Sequence, residues 1–178
     1  MYKYLVVVLA SLGLWAGENA GAAPSLSVGS PAPQLQVAKW IKGSPVAKLE
    51  ASRLYVVEFW ATWCPPCRRS IPHLTELAKK YEGKVQIIGV SVSERESNPE
   101  ARLAKVSEFV KTMGDKMSYL VAADTAQGFM SKNWMEAAGQ NGIPASFIVK
   151  EGKIAWIGHP MAGLDEQLAK LVGSEKPH

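Results

Sequence analysis

The chain has 178 residues, 47% of them hydrophobic and 20% charged, proportions of an ordinary globular protein that exclude a disordered, collagen-like or coiled-coil chain. The formal charge of +4 comes from scattered basic residues, so the sequence offers no basic stripe for nucleic acid and no nucleic-acid partner is expected. Cys64 and Cys67 are the only cysteines. Any disulfide within the chain closes a loop too short to staple a fold, and the pair calls for a chemical reading.

The first predicted element is a leader. Met1 to Lys3 carries one positive charge, Tyr4 to Gly17 is apolar or small, and Ala20-Gly21-Ala22 offers the small-x-small pattern of a signal-peptidase site. Residues 1–22 therefore read as a secretory signal, and 23–178 as a single domain of about 150 residues, enough for one core. An uncleaved anchor helix is the alternative. Its apolar stretch of about 14 residues falls short of the roughly 20 that span a bilayer. With no cysteine near the leader, a lipid-modified N-terminal cysteine is excluded. The mature chain is expected in an oxidising space such as the bacterial periplasm.

After an extended lead-in over 23–33, Leu35 to Ile41 reads as a strand, Lys42-Gly43-Ser44-Pro45 as a turn and Val46 to Leu49 as the returning strand, an opening hairpin. Tyr55 to Trp60 is a β-branched and aromatic run suited to a strand buried on both faces, interrupted by one acid, Glu58. From Arg68, Ile71, Leu74, Leu77, Ala78 and Tyr81 recur at helical spacing, with Pro72 inside the helix, where a kink is expected. Val85 to Val92 predicts a strand, Asn98-Pro99 the start of a helix ending at Gly114, and Tyr119 to Ala122 a short strand. Asp124-Thr125 can cap a short helix to about Ala138. Ala145 to Val149 and Ile154 to Ile157 flank the turn 150–153 as a hairpin, and Leu164, Leu168, Leu171 and Val172 mark a closing helix. This order predicts an α/β fold, a central mixed sheet with helices on both faces, parallel in the middle and antiparallel at the last hairpin.

Cys64-Pro65-Pro66-Cys67 falls between the strand ending near Trp60 and the helix that follows. A helix N-terminus stabilises a thiolate through its unpaired N–H groups and dipole. Cys64 is the candidate attacker, and Cys67, in the first turn, would resolve the mixed disulfide. Haem attachment requires a histidine where Arg68 stands, and zinc would have to recruit His73, His159 and His178 at no recognisable spacing. The methionines form no compact motif. No metal and no cofactor are expected.

The segment Glu58-Phe59-Trp60-Ala61-Thr62-Trp63-Cys64-Pro65-Pro66-Cys67, with Gly142-Ile143-Pro144-Ala145 downstream, resembles the active-site elements of the thioredoxin superfamily. The CPPC sequence, the leader, the opening hairpin and an extra strand and helix before the final hairpin narrow the resemblance to the TlpA/ResA-like periplasmic thiol-disulfide reductases, over roughly residues 28–172. It implies a thioredoxin-like fold and a cis Ile143–Pro144 bond facing the cysteines, where the backbone of Ile143 can pair with an extended substrate. It also places Glu58 as a buried acid beneath Cys67. Burial without a cationic partner should raise its pKa and make it a proton acceptor for Cys67; a glutamate on an exposed strand face is the alternative. Trp63 is expected over the site, in reach of substrate, while Trp60 is expected in the core. Arg68 and Arg69 are as compatible with a solvated first turn as with a role at the thiols. His73 and His159 read as surface residues.

The expected activity is reduction of disulfides in exported proteins. By resemblance, apocytochrome c is a client, a membrane thiol-reducing system is the electron donor, and the protein is a monomer. An oxidant or isomerase is the alternative direction, because potential depends on thiolate stabilisation. A peroxidase lacks its Thr-x-x-Cys context here, since Thr62 stands two positions before Cys64. A redox-switched chaperone is the alternative from outside the enzyme class.

Overall fold

The computed structural model describes residues 25–174. Six strands form one sheet in the order β1-β4-β3-β2-β5-β6. They are β1 (Val37–Lys42), β2 (Leu54–Trp60), β3 (Val85–Ser91), β4 (Leu120–Asp124), β5 (Ala145–Lys150) and β6 (Lys153–Gly158). Strands β2, β3 and β4 run parallel, while β1 pairs antiparallel with β4, β5 with β2, and β6 with β5. Helices α1 (Pro65–Lys80), α2 (Pro99–Met113) and α3 (Leu164–Gly173) connect or close the sheet, with a 3₁₀ turn at Gly114–Met117 and a π-helical segment at Ser131–Glu136.

All seven residues of β2 are buried, as a central strand covered on both faces requires. Its alternation separates two cores. Leu54, Val56 and Trp60 point to the face covered by α1, α2 and α3 with Ile71, Leu74, Val106 and Leu168. Tyr55, Val57 and Phe59 point to the other, covered by the π-helical segment and the N-terminal lead-in. There Phe59, Phe147 and Trp134 form an aromatic cluster, with Trp134 edge-on to Phe147 at 5.5 Å. The caps follow the sequence. Asn98 Oδ1 accepts from the Ala101 amide, and Asp124 accepts from the amides of Thr125, Met130 and Ser131, anchoring the start of the π-helical segment.

The opening differs from the sequence expectation. Val46–Leu49 forms no strand, so the opening hairpin does not exist; β1 instead pairs with β4, far along the chain, from Val37↔Asp124 to Lys42↔Val121. The cause is twofold. Pro45 has no amide to donate at the start of a returning strand, and β4 offers an open edge, which β1 takes with two register shifts. Lys42 reinforces that choice by donating to the carbonyls of Gly114 and Met117. The lead-in is bonded rather than loose, since Gly29 N donates to the Ile154 carbonyl, Ile154 N to Ser30, and Ala32 N to Gly152. It covers the outer strand β6. Helix α1 continues through Pro72 to Lys80.

Candidate active site

Strand β2 delivers the chain to the site, and three residues, Ala61 to Trp63, turn it into α1. Cys64 is the N-cap of α1, with Pro65 and Pro66 at the first two helical positions and Cys67 at the third. Neither proline has an amide hydrogen. The first helix amide able to donate is therefore that of Cys67, and it reaches Cys64 Sγ at 3.2 Å. Cys64 and Cys67 are joined in a disulfide, with Cα atoms 5.3 Å apart. Cys67 is fully buried and Cys64 only 2% exposed. Cys64 is the slightly more exposed residue of the pair, and the opening is narrower than an exposed turn.

The opposite wall is the turn before β5. The Ile143–Pro144 bond is cis, and the Ile143 carbonyl oxygen lies 3.7 Å from Cys64 Sγ. Trp63 stands at the rim. Its Nε1 donates to the Ser93 carbonyl, and the Arg95 guanidinium lies 4.3 Å from its ring centroid. Between Trp63 and Ile143 opens a cavity of about 510 Å³ that Met135, Gln140, Asn141 and Gly142 also line. The structure therefore brings Cys64, Cys67, Pro65, Pro66, Trp63, Ile143 and Pro144 into one place.

Glu58 lies on the face of β2 that α1 covers, the face of Cys67, and is fully buried. Neither carboxylate oxygen bonds to another group among the described residues. Loss of hydration pushes its pKa from 4.5 to about 8. The exposed-face alternative is excluded, and the carboxyl changes charge near neutral pH, where a proton acceptor is useful.

The sequence reading missed Glu94. It lies in the loop after β3, 8% exposed, and its carboxylate accepts from Thr62 N at 2.7 Å, Thr62 Oγ1 at 2.6 Å and Ser91 Oγ at 2.8 Å. This ties the turn before Cys64 to the end of β3. An isolated acid in a loop has no period or motif, and only the parallel pairing of β2 with β3 brings it to Thr62. The Arg68 guanidinium lies 5.1 Å from the Phe109 ring centroid. Trp60 is buried core, its ring tilted by 37° against that of Phe109 at 5.2 Å. His159 accepts from the Met161 amide in a loop.

The sequence matches the Redoxin family over residues 27–165. The chain belongs to the redoxin family. Among curated relatives it is 30% identical over 152 residues to protein FixW of Rhizobium leguminosarum, covering 84% of this chain and 68% of FixW. A shorter match, 50% identical over 46 residues, joins 26% of this chain to 44% of thioredoxin from Staphylococcus aureus. Among solved structures, a thiol:disulfide interchange protein of the thioredoxin family from Chlorobium tepidum superposes with a TM-score of 0.63 at 26% identity, covering 86% of this chain and all of that one. StoA from Bacillus subtilis, at 22% identity and a TM-score of 0.60, covers 79% of this chain and 98% of its own, and shares the fold. This redoxin is a thioredoxin-like thiol:disulfide oxidoreductase whose CxxC pair is Cys64 and Cys67.

Proposed function

We propose that this redoxin works as a reductant of disulfides in exported proteins, in the periplasm, with a role of the cytochrome c maturation type and apocytochrome c as a client. The observation that carries the direction is the amide count at Cys64: Pro65 and Pro66 withhold two donors, leaving the Cys67 N–H as the one donor to Cys64 Sγ among the described residues. A thiolate with fewer donors has a higher pKa, its reduced form is less favoured, and the pair gives up electrons more readily. Residues 1–22, read as the leader, lie outside the described residues. Among the described residues no helix is long and apolar enough to cross a membrane.

In the reduced protein, Cys64 thiolate attacks one sulfur of the client disulfide; the Cys64–client bond forms, the client S–S bond breaks, and the departing client thiolate takes a proton from solvent. The client segment lies across the cavity between Trp63 and Ile143, its backbone paired with Ile143. Glu58 carboxylate takes the Cys67 proton, and the Cys67 thiolate attacks Cys64 Sγ. That step forms the internal disulfide and releases the second client thiol. A membrane dithiol donor restores the pair.

The test is incubation of the reduced protein with a disulfide-bonded Cys-x-x-Cys peptide, followed by thiol alkylation and mass spectrometry. Conversion of the peptide to dithiol supports the reading. Oxidation of the dithiol peptide by the oxidised protein, with little reverse reaction, would establish an oxidant instead.

A further inference from the structure

At the level of Glu58 one row of residues crosses the sheet, Val121 beside Gly89, Gly89 beside Glu58, and Glu58 beside Ser146. Glycine on one side and serine on the other leave room around the carboxyl. On the β3 side that room is entered by two rings. A Cβ on Gly89 would meet Tyr119 Cε2 at 3.0 Å and Trp60 Nε1 at 3.2 Å. Both Glu58 oxygens, Trp60 Nε1, the Tyr119 hydroxyl and Ser146 Oγ are buried, and none has a hydrogen-bond partner among the described residues.

Buried polar atoms are almost always satisfied, and a group of them around one spot is the ordinary signature of internal water. Tyr119 faces Glu58 electrostatically as well: burial, and then the Glu58 charge, hold its hydroxyl protonated well above the ordinary tyrosine range. Tyr119 also borders the outside. With Ser118, Ala78, Gln86 and Ile87 it lines a surface cavity of about 400 Å³ at the end of the sheet where β3 begins, away from the disulfide. Its segment is held firmly, since Ser118 N donates to Thr75 Oγ1 at 2.9 Å and Thr75 Oγ1 to the Lys116 carbonyl at 2.8 Å.

We propose that Glu58 exchanges its proton with solvent through a hydrated polar seam bounded by Trp60, Tyr119 and Ser146, which opens at the Tyr119 cavity at the end of the sheet where β3 begins. This rests on the proton-acceptor role given to Glu58 above. Cys64 and Cys67 close the front of the site, and a docked client closes it further, so a proton taken there needs another way out. The proton passes from Cys67 Sγ to a Glu58 oxygen, from the carboxyl to seam water, and from that water to bulk. Glu58 recovers its charge, and the leaving client thiolate takes its proton from solvent. Tyr119 keeps its own proton and orients the water; it is a positioning residue.

The test follows hydrogen–deuterium exchange of the protonated Glu58 carboxyl by rapid-mixing infrared difference spectroscopy, its band assigned by its loss in Glu58→Gln. In Tyr119→Phe the exchange slows about tenfold, the factor one lost hydrogen bond is worth, while the attack rate of Cys64 on a disulfide peptide is unchanged. A second measurement leaves Tyr119 intact: in the client mixed disulfide of Cys67→Ser, with the front covered, exchange proceeds at the rate of the free protein. Exchange blocked by the client, or unaltered by Tyr119→Phe, overturns the seam. Client release in Glu58→Gln at the parent rate would instead overturn the catalytic role of Glu58 and leave the exchange route standing.

Discussion

Replacing Glu58 with glutamine should stabilise the oxidised protein, by an amount set by pH. The ordinary glutamate pKa of 4.5 becomes about 8 in the folded state because burial removes the water that would solvate the charge. Below pH 4.5 both folded and unfolded chains hold the proton, and the side chain's ionisation contributes nothing to the difference. As pH rises toward 8 the unfolded chain releases a proton that the folded chain keeps, so stability falls by about 1.4 kcal/mol per pH unit. The loss reaches about 3 kcal/mol at about pH 7 and about 5 kcal/mol above about pH 8, where it levels off. Glutamine has no proton to release. Urea unfolding of the two oxidised proteins at about pH 5, 6 and 7 should give midpoints that diverge steadily, the Glu58→Gln variant ahead, with slopes alike. A difference that is flat across this range would mean that the Glu58 carboxyl titrates as it does in the unfolded chain, and that burial does not raise its pKa.

Cys67→Ser should accumulate a mixed disulfide with a client peptide at Cys64, visible by non-reducing electrophoresis, whereas Cys64→Ser should form none. Glu94→Ala strips acceptors from Thr62 N, Thr62 Oγ1 and Ser91 Oγ, and should cost about 3 kcal/mol in urea unfolding and slow peptide reduction; Glu94→Gln should recover much of both. Pro66→Ala supplies a second amide to Cys64 Sγ, so the Cys64 thiol pKa should fall and the reduction potential rise by about 30 mV or more, as measured by thiolate absorbance and redox titration.

The parts of this protein that are legible in the sequence are those where local chemistry decides the structure. Tyr55 to Trp60 has the β-branched and aromatic run of a buried strand, and the step from Trp63 through two prolines to Cys67 suits a strand-to-helix turn. Asn98-Pro99 and Gly114 bound α2 because capping is local. The opening segment misleads because pairing is not local: Val46 to Leu49 has strand composition, but β1 finds the edge of β4, and no window around Lys42 contains Leu120. Glu94 is invisible for the same reason. Its partner Thr62 lies across a parallel pairing, and a single acid between Ser93 and Arg95 carries no periodic signal. Tyr119 reads as the start of a short strand, and the structure adds that its ring reaches over Gly89 toward Glu58, a contact made possible by an absent side chain on another strand.

The direction of electron flow is set by the equilibrium reduction potential of the Cys64–Cys67 pair. Titration of residues 23–178 in glutathione and dithiothreitol buffers, followed by tryptophan fluorescence and thiol alkylation, gives the value. A reductant whose Cys64 thiolate has one amide donor should lie at about −240 mV or below, toward the roughly −270 mV of thioredoxin. A value near the roughly −120 mV of a strong periplasmic oxidant would make the pair an acceptor of electrons from client thiols and exclude the reductant role.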